Sequence, residues 1–527
     1  MGADASLWRR ADAAGSGRGA VLLPSPEDCP KLMSDPHPVV VIGSGFAGSI
    51  VASRLVKAGQ KVLLLERGPW RNTAAVRSAG ISDPAPLPHG ARFCTHILRR
   101  INREGLPGGG LTLNRRGMYE VFSAKHIDVA CTSQVGGSSH VYGALHKRPQ
   151  DPAFWDGHHD KISAAQMEGY YQSVLAELGS APVSVDAGGP NLFAKRFADN
   201  PHFITDQQSL DIDMGLRGGL GTIPAEELSG EGLLGSARGI KRTADEAWLL
   251  PALRNGLVVR DMCEVESIFR QEDGEAVSYR LDVRNHKGKK RDSIVASRVI
   301  LAAGTLNTLR LLLLSRDRFG GLDRMPRLGF GFGGNGDYSA YWGHGAGNAD
   351  LSEGLPTRGR ILLRDAGLWR SSRPWPTIVE GALPYSRLLP WLPLLKAKIR
   401  RGTLLAGLGP DDMSGRIFLH KGKFRIDFDP AESRIYKDLR QAFDLIEDLS
   451  GHRLTHFPKV STVHPMGGAA LGSSPEKGVV DDAGEIYGHP GVHVADASVM
   501  PASLGAPPSI SIAAWANNVA DKIISLC

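Results

Sequence analysis

The stretch Val39–Trp70, VVVIGSGFAGSIVASRLVKAGQKVLLLERGPW, decides the fold. An unbroken apolar run, Val39 to Ile42, reads as a buried strand that enters the turn Gly43-Ser44-Gly45-Phe46-Ala47-Gly48. Apolar residues Ile50, Val51, Leu55 and Val56 follow at helical spacing. Val62 to Leu65 then form a second strand that ends on Glu66, with Arg67 beside it. Gly43 allows the tight turn, Gly45 lets backbone amides close on a pyrophosphate, and Gly48 lets the helix pack against the sheet. Glu66 is placed to accept hydrogen bonds from ribose hydroxyls. An ordinary glycine turn is the alternative for a lone GxGxxG. Strand, turn, helix, strand and terminal acid in this order, however, are what a dinucleotide-binding fold requires. The loop by itself leaves NAD and FAD both open.

With 527 residues the chain is long enough for two large domains or one interleaved pair. A net charge of +7, spread over 62 basic and 55 acidic residues, suits anionic ligands or a membrane surface. It is far from a nucleic-acid footprint, and no basic run interleaved with aromatics suggests one. The cysteines, Cys29, Cys94, Cys131, Cys263 and Cys527, are scattered, odd in number and form no CxxC. Neither a metal site nor a disulfide framework is expected, and a reducing, cytoplasmic compartment fits. Residues 1–36, rich in Gly, Ala, Ser, Pro and Arg, read as a mobile extension. No apolar run approaches the roughly 20 residues that span a bilayer.

Further along, Trp70 to Val129 reads as irregular, with Pro and Gly clusters. It opens into Gly136-Gly137-Ser138-Ser139 and then Tyr142, a loop whose exposed amides and hydroxyls suit a polar planar ligand. Met167 to Leu178 and Tyr436 to Leu449 are expected as amphipathic helices, and Leu257 to Ile268 as a strand pair or bulged strand. Residues Val277 to Val295 read as a hairpin turning at Gly288. Val299 to Gly304 is a second buried strand ending in a glycine turn. Beyond the glycine-rich turn Leu328–Tyr338, strands at 340–342, 360–363, 377–382, 415–420 and 423–428 suggest an antiparallel sheet. Between them Tyr385–Arg401, Leu- and Trp-rich with a basic end, suits a core segment, a lid or a surface touching lipid; its prolines argue against one long helix.

The C-terminal region carries His464-Pro-Met-Gly-Gly, Val494-Ala-Asp496-Ala497-Ser498 and Gly505-Ala-Pro507-Pro508-Ser509. Taken with the earlier blocks, in one consistent order over about residues 37 to 525, the chain resembles the glucose-methanol-choline (GMC) oxidoreductases, and within them the cholesterol-oxidase-like branch. The resemblance implies an α/β fold: an FAD-binding Rossmann-like domain from residues 37–160, 241–330 and 455–527. A substrate domain built on an antiparallel β-sheet, 161–240 and 331–454, would be inserted between them. It implies FAD contacts at the Gly43–Gly48 loop, Glu66, Gly136 to Ser139, Gly304, Asp496, Ala497 and Pro508, with the Val265 backbone at the adenine. His464 falls on the family's base above the flavin, and an imidazole is the right group, because hydride leaves an alcohol carbon only as the hydroxyl proton is removed. Glu380 falls where cholesterol oxidases place a carboxylate base for a steroid double-bond shift; a salt-bridged core Glu is the alternative.

Two positions depart from the pattern. Pro507 stands where the family has a catalytic Asn or His, and proline offers no side-chain donor or acceptor. Tyr142 stands where many relatives have Asn beside the flavin. The expected activity is oxidation of the CH–OH group of an apolar alcohol or sterol-like substrate, with O₂ or a protein or quinone acceptor. A non-redox lyase or isomerase that keeps FAD as scaffold is the alternative that Pro507 raises.

Overall fold

The computed structural model describes residues 39–526, apart from 185–196, 198–199, 206–208, 217–232, 344–350, 352–356, 358, 364–375 and 382–392. The expected N-terminal extension, much of the 161–240 part of the expected substrate domain and the first part of the 385–401 segment therefore lie outside the described residues. The opening stretch forms the strand Val39–Ile42, the helix Phe46–Lys57 and the strand Val62–Leu65. Both strands are buried along their whole length, which is why their sequence is continuously apolar rather than alternating.

These strands sit inside a five-stranded parallel sheet whose other members are Val258–Arg260, Arg298–Leu301 and Val492–Val494. The register pairs Ile42 with Leu65 on one side and with Leu301 on the other. Four connections therefore leave the carboxyl edge of the sheet side by side, at Gly43, Glu66, Gly304 and Asp496. That edge is where open α/β sheets bind ligands. Gly43 makes the approach possible: with φ of +98°, a Cβ there would lie 2.3 Å from the Ala302 carbonyl oxygen.

Opposite this edge stands a six-stranded antiparallel sheet, ordered 454–456, 338–343, 402–408, 377–381, 359–363, 203–205. The helix Arg434–Ser450 packs on one face, where Leu439 crosses close over Gly407. The expected antiparallel sheet is present with a different membership. Gly415–His420 pairs instead with Lys423–Asp427 on one side and Phe330–Phe332 on the other in a separate sheet, while Gly402–Leu408 lies at the centre of the large one. Local patterning identifies strands but not their partners, and Gly407, which Leu439 of the helix approaches closely, with Gly402, which Tyr341 of the neighbouring strand covers, hides a strand.

The stretch after Trp70 also differs from expectation. It holds the strands Leu98–Arg103, Gly110–Thr112, Tyr119–Ser123 and Ile127–Thr132, joined by Val460–Thr462 in a five-stranded sheet. These strands bury charge alongside hydrocarbon such as Phe122, Ile127 and Val129. Glu120 is fully buried, pairs with Arg67 and accepts from Asn102 Nδ2 at 2.8 Å. Burial opposes its ionisation, yet the Arg67 and Arg310 guanidiniums hold its carboxyl below the ordinary value. Buried polar residues satisfied by distant partners interrupt the apolar period that would otherwise mark these strands. The bulged strand expected at 257–268 is the pair Val258–Arg260 and Cys263–Asp273, with the register shift between Val265 and Ser267. The hairpin expected at 277–295 is Ala276–Asn285 with Lys290–Ala296. Among the described residues no helix is long and apolar enough to cross a membrane.

Candidate active site

A cavity of about 1350 Å³ runs from the carboxyl edge of the parallel sheet to the face of the antiparallel one. Ordinary small-molecule pockets measure roughly 300–1,000 Å³. This one is larger.

At the first end, Glu66 is almost fully buried, and burial pushes its carboxyl up from the ordinary value. Its Oε2 accepts from the Ser44 hydroxyl at 2.7 Å and the Ser44 amide at 3.2 Å, and Oε1 accepts from the Gly68 amide at 2.8 Å. The acid thus pins the glycine loop to the next strand and still presents an edge to the cavity. Gly45 and Gly137 bring two loops together: a Cβ on Gly137 would stand 2.6 Å from the Gly45 Cα. Gly304 has φ of +80° and nothing within 4 Å of its missing Cβ, so a side chain there would project into the cavity. Glycine at these places leaves room for a ligand. The bulge after Val265 turns the run from Glu264 to Ser267 along the cavity wall.

Asp496 also lines the cavity, and its carboxylate holds the fold around it. Its Oδ2 accepts from the Gly304 amide and the Thr308 hydroxyl, and its Oδ1 from the amide and hydroxyl of Ser498. Four bonds occupy the carboxylate, which clips two strand ends together. Of the sequence-selected residues, Gly43, Ser44, Phe46, Ala47, Arg67, Ser138, Tyr142, Ala497 and Pro508 also line the cavity. Gly48, Gly136 and Ser139 do not. Gly48 packs under Gly43, where a Cβ would lie 2.0 Å from the Gly43 oxygen. Gly136 turns at φ of +89°, and the Ser139 hydroxyl ties the Gly136 carbonyl to the Ala244 amide. Tyr142 presents its ring edge-on to Phe46 and spends its hydroxyl on the Arg242 carbonyl at 2.6 Å.

At the other end His464 and Pro507 share the cavity with one face of the antiparallel sheet. Val379, Gly381, Leu404, Ala406 and Ser339 lie in register on that face, so the wall is largely apolar. His464 is partly exposed, and its Nδ1 lies 3.0 Å from Oδ1 of Asp337. Burial of the second Asp337 oxygen is matched by the Thr462 hydroxyl at 2.7 Å and the Val463 amide at 3.2 Å. The imidazole is thus held at Nδ1, and among the described residues no hydrogen bond engages Nε2.

Glu380 corrects an expectation. Its strand neighbours Val379 and Gly381 line the cavity, while Glu380 pairs with the core residue Leu405 on the opposite face and is fully buried. The alternation of the strand turns it away from any substrate in this cavity. Conversely, Asp337 and Thr462 escaped the sequence reading. The only trace was an acid closing the glycine turn Gly333-Gly-Asn-Gly-Asp337, with nothing to say that it meets a histidine 127 positions away.

Comparison with known proteins agrees with this architecture. Family models described as GMC oxidoreductase match residues 40–316 and 428–516. A cholesterol oxidase of Mycobacterium tuberculosis is 24% identical, over 93% of this chain and 91% of the relative. The long-chain-alcohol oxidase FAO1 of Arabidopsis thaliana is 22% identical, over 92% of this chain and 66% of the relative. Among solved structures, a fungal aryl-alcohol oxidase has a TM-score of 0.56 at 15% identity, covering 93% of this chain and 99% of its own. The pyridoxine 4-oxidase from Mesorbium loti has a TM-score of 0.53 at 18% identity, with 92% and 99% covered. These two likenesses speak for the fold. These relatives and structures are named as oxidases and do not favour the non-redox alternative. The chain belongs to the GMC oxidoreductase family, FAD-binding in general, whose members are oxidoreductases of alcohol CH–OH groups.

Proposed function

We propose that this protein is an FAD-dependent oxidoreductase of an apolar, sterol-like or long-chain alcohol, with His464 as the base. One observation carries the proposal: an imidazole held at Nδ1 lines a cavity that it shares with the apolar sheet face of Val379, Leu404 and Ala406. FAD, when bound, supplies the two-electron acceptor beside the substrate carbon. The residues present fit it. The N-terminus of the helix Phe46–Lys57 and the Gly43–Gly48 loop would hold the pyrophosphate, Glu66 the ribose, and the Val265 backbone the adenine. The N-terminus of the helix Ser509–Ser525 also opens on the cavity and favours negative charge there.

In this reading His464 Nε2 accepts the substrate hydroxyl proton as the carbon–hydrogen bond breaks, a role worth roughly 10²–10⁴ in rate. Pro507 contributes shape only, so a single imidazole carries the proton. Two relatives are named for cholesterol and for long-chain alcohols, and both substrates are apolar molecules bearing one hydroxyl. Those relatives are named oxidases, which favours O₂ as acceptor; a protein or quinone acceptor is the other arm. Anaerobic mixing with sterols, long-chain alcohols, aryl alcohols and sugars tests the proposal. Bleaching of the flavin by the apolar alcohols, and not by His464→Gln, is expected. A flavin that stays oxidised with every alcohol would overturn it.

A further inference from the structure

We infer that Asp337 is a positioning residue that fixes the tautomer of His464, keeping the ring proton on Nδ1 and leaving Nε2 as the acceptor. The inference rests on the reading of His464 as base and concerns how that base is set.

The two oxygens of Asp337 face different partners. Oδ2 accepts from the Val463 amide at 3.2 Å and from the Thr462 hydroxyl at 2.7 Å. Oδ1 lies 3.0 Å from His464 Nδ1. A backbone N–H is always a donor, so the Oδ2 position must hold an acceptor. With both positions occupied by carboxylate oxygen, Nδ1 must carry the ring's proton to make its bond. The neutral ring is then an acceptor at Nε2, as a base requires.

The turn that carries Asp337 is itself fixed. Asp411 Oδ2 accepts from the Gly334 amide at 2.7 Å and the Tyr436 hydroxyl at 3.1 Å. Asn335 donates to the Ala506 carbonyl at 2.8 Å and accepts from the Gly505 amide at 2.9 Å. One turn therefore braces the histidine and the loop that delivers Pro507. Because Pro507 offers no second polar group, the orientation of the single imidazole decides whether a substrate proton has anywhere to go.

Asp337→Asn makes the inference testable. The amide is the same size, but the Val463 N–H still demands an acceptor at the Oδ2 position, so the amide oxygen settles there. The NH₂ group is then presented to His464 Nδ1, which must accept, and the ring proton moves to Nε2. The ring stays in place with its reacting nitrogen reversed.

The experiment uses the flavin-loaded protein labelled with ¹⁵N-histidine, at a pH where the ring is neutral, with His464 assigned by its loss in His464→Gln. The wild type is expected to show the proton on Nδ1, and Asp337→Asn to show it on Nε2. In anaerobic stopped flow, Asp337→Asn should lower the limiting rate of flavin reduction by roughly 10²–10⁴-fold. Its flavin spectrum and apparent substrate Kd should stay close to wild type, which a merely disrupted fold would not allow. A wild-type ring protonated on Nε2 would overturn the inference without recourse to any variant at Asp337. Normal reduction in Asp337→Asn alongside a slow His464→Gln would overturn this inference alone. Normal reduction in His464→Gln would overturn the base reading and the inference with it.

Discussion

The contact between Gly45 and Gly137 predicts a specific failure of cofactor binding. In Gly137→Ala the new Cβ would lie 2.6 Å from the Gly45 Cα and 3.1 Å from its nitrogen. Carbon atoms in contact prefer about 3.5–4.0 Å, so the two loops must part by about 1 Å. Backbone surrounds the clash, and no flexible side chain can yield. The residue also sits at φ of +56°, which adds about 1–2 kcal/mol for any L side chain. Displacement by about 1 Å is the scale at which misplaced groups lose about 10²-fold. FAD affinity should therefore fall by roughly 10²-fold, or about 2.7 kcal/mol. Titration of apoprotein with FAD, followed by flavin fluorescence, measures it directly. Gly59→Ala is the control: its φ is +83°, but no atom lies within 4 Å of the added carbon. It should show the backbone cost in its melting temperature and bind FAD normally. If Gly137→Ala binds FAD as tightly as Gly59→Ala does, the close approach of the loops is not what shapes the site.

Leu404→Trp fills the apolar wall of the cavity. It should cut kcat/KM for a sterol by roughly 10–200-fold while sparing a short alcohol, as steady-state assays on both would reveal. Glu380→Gln should leave the rate of flavin reduction close to wild type, because the side chain points away from the cavity; a loss of orders of magnitude in stopped flow would contradict that placement. Burial holds His146 and His493 down at about 4, so they stay neutral in the fold while the unfolded chain takes up their protons from about 6.5 downward. Stability should accordingly fall as pH drops through that window, by roughly 2 kcal/mol for each histidine between pH 7 and pH 5. Urea midpoints at the two pH values measure this, and a double His146→Asn, His493→Asn variant that keeps the same dependence would refute the assignment.

How much of this was legible beforehand follows from the range of the interactions involved. The nucleotide loop was fully legible, because strand, turn, helix and acid are adjacent in the chain and each obeys local rules of period and glycine geometry. The strand run over 257–268 and the helices Ala164–Glu177 and Arg434–Ser450 were legible on the same ground. The sheet of residues 98–132 was not, since its buried Arg99 and Glu120 are stabilised by partners that the local pattern does not contain.

For the site, sequence alone determined the strand–turn–helix–strand unit and the family, and it singled out His464, which the cavity includes. Only tertiary structure decided which side of its strand Glu380 occupies, that Asp496 spends its carboxylate on the fold, and that Asp337 meets His464. A strand's period says that neighbours face opposite ways, but not which way the ligand lies. A hydrogen bond between residues 127 apart leaves no trace in local sequence, because the chain between them is what carries one to the other.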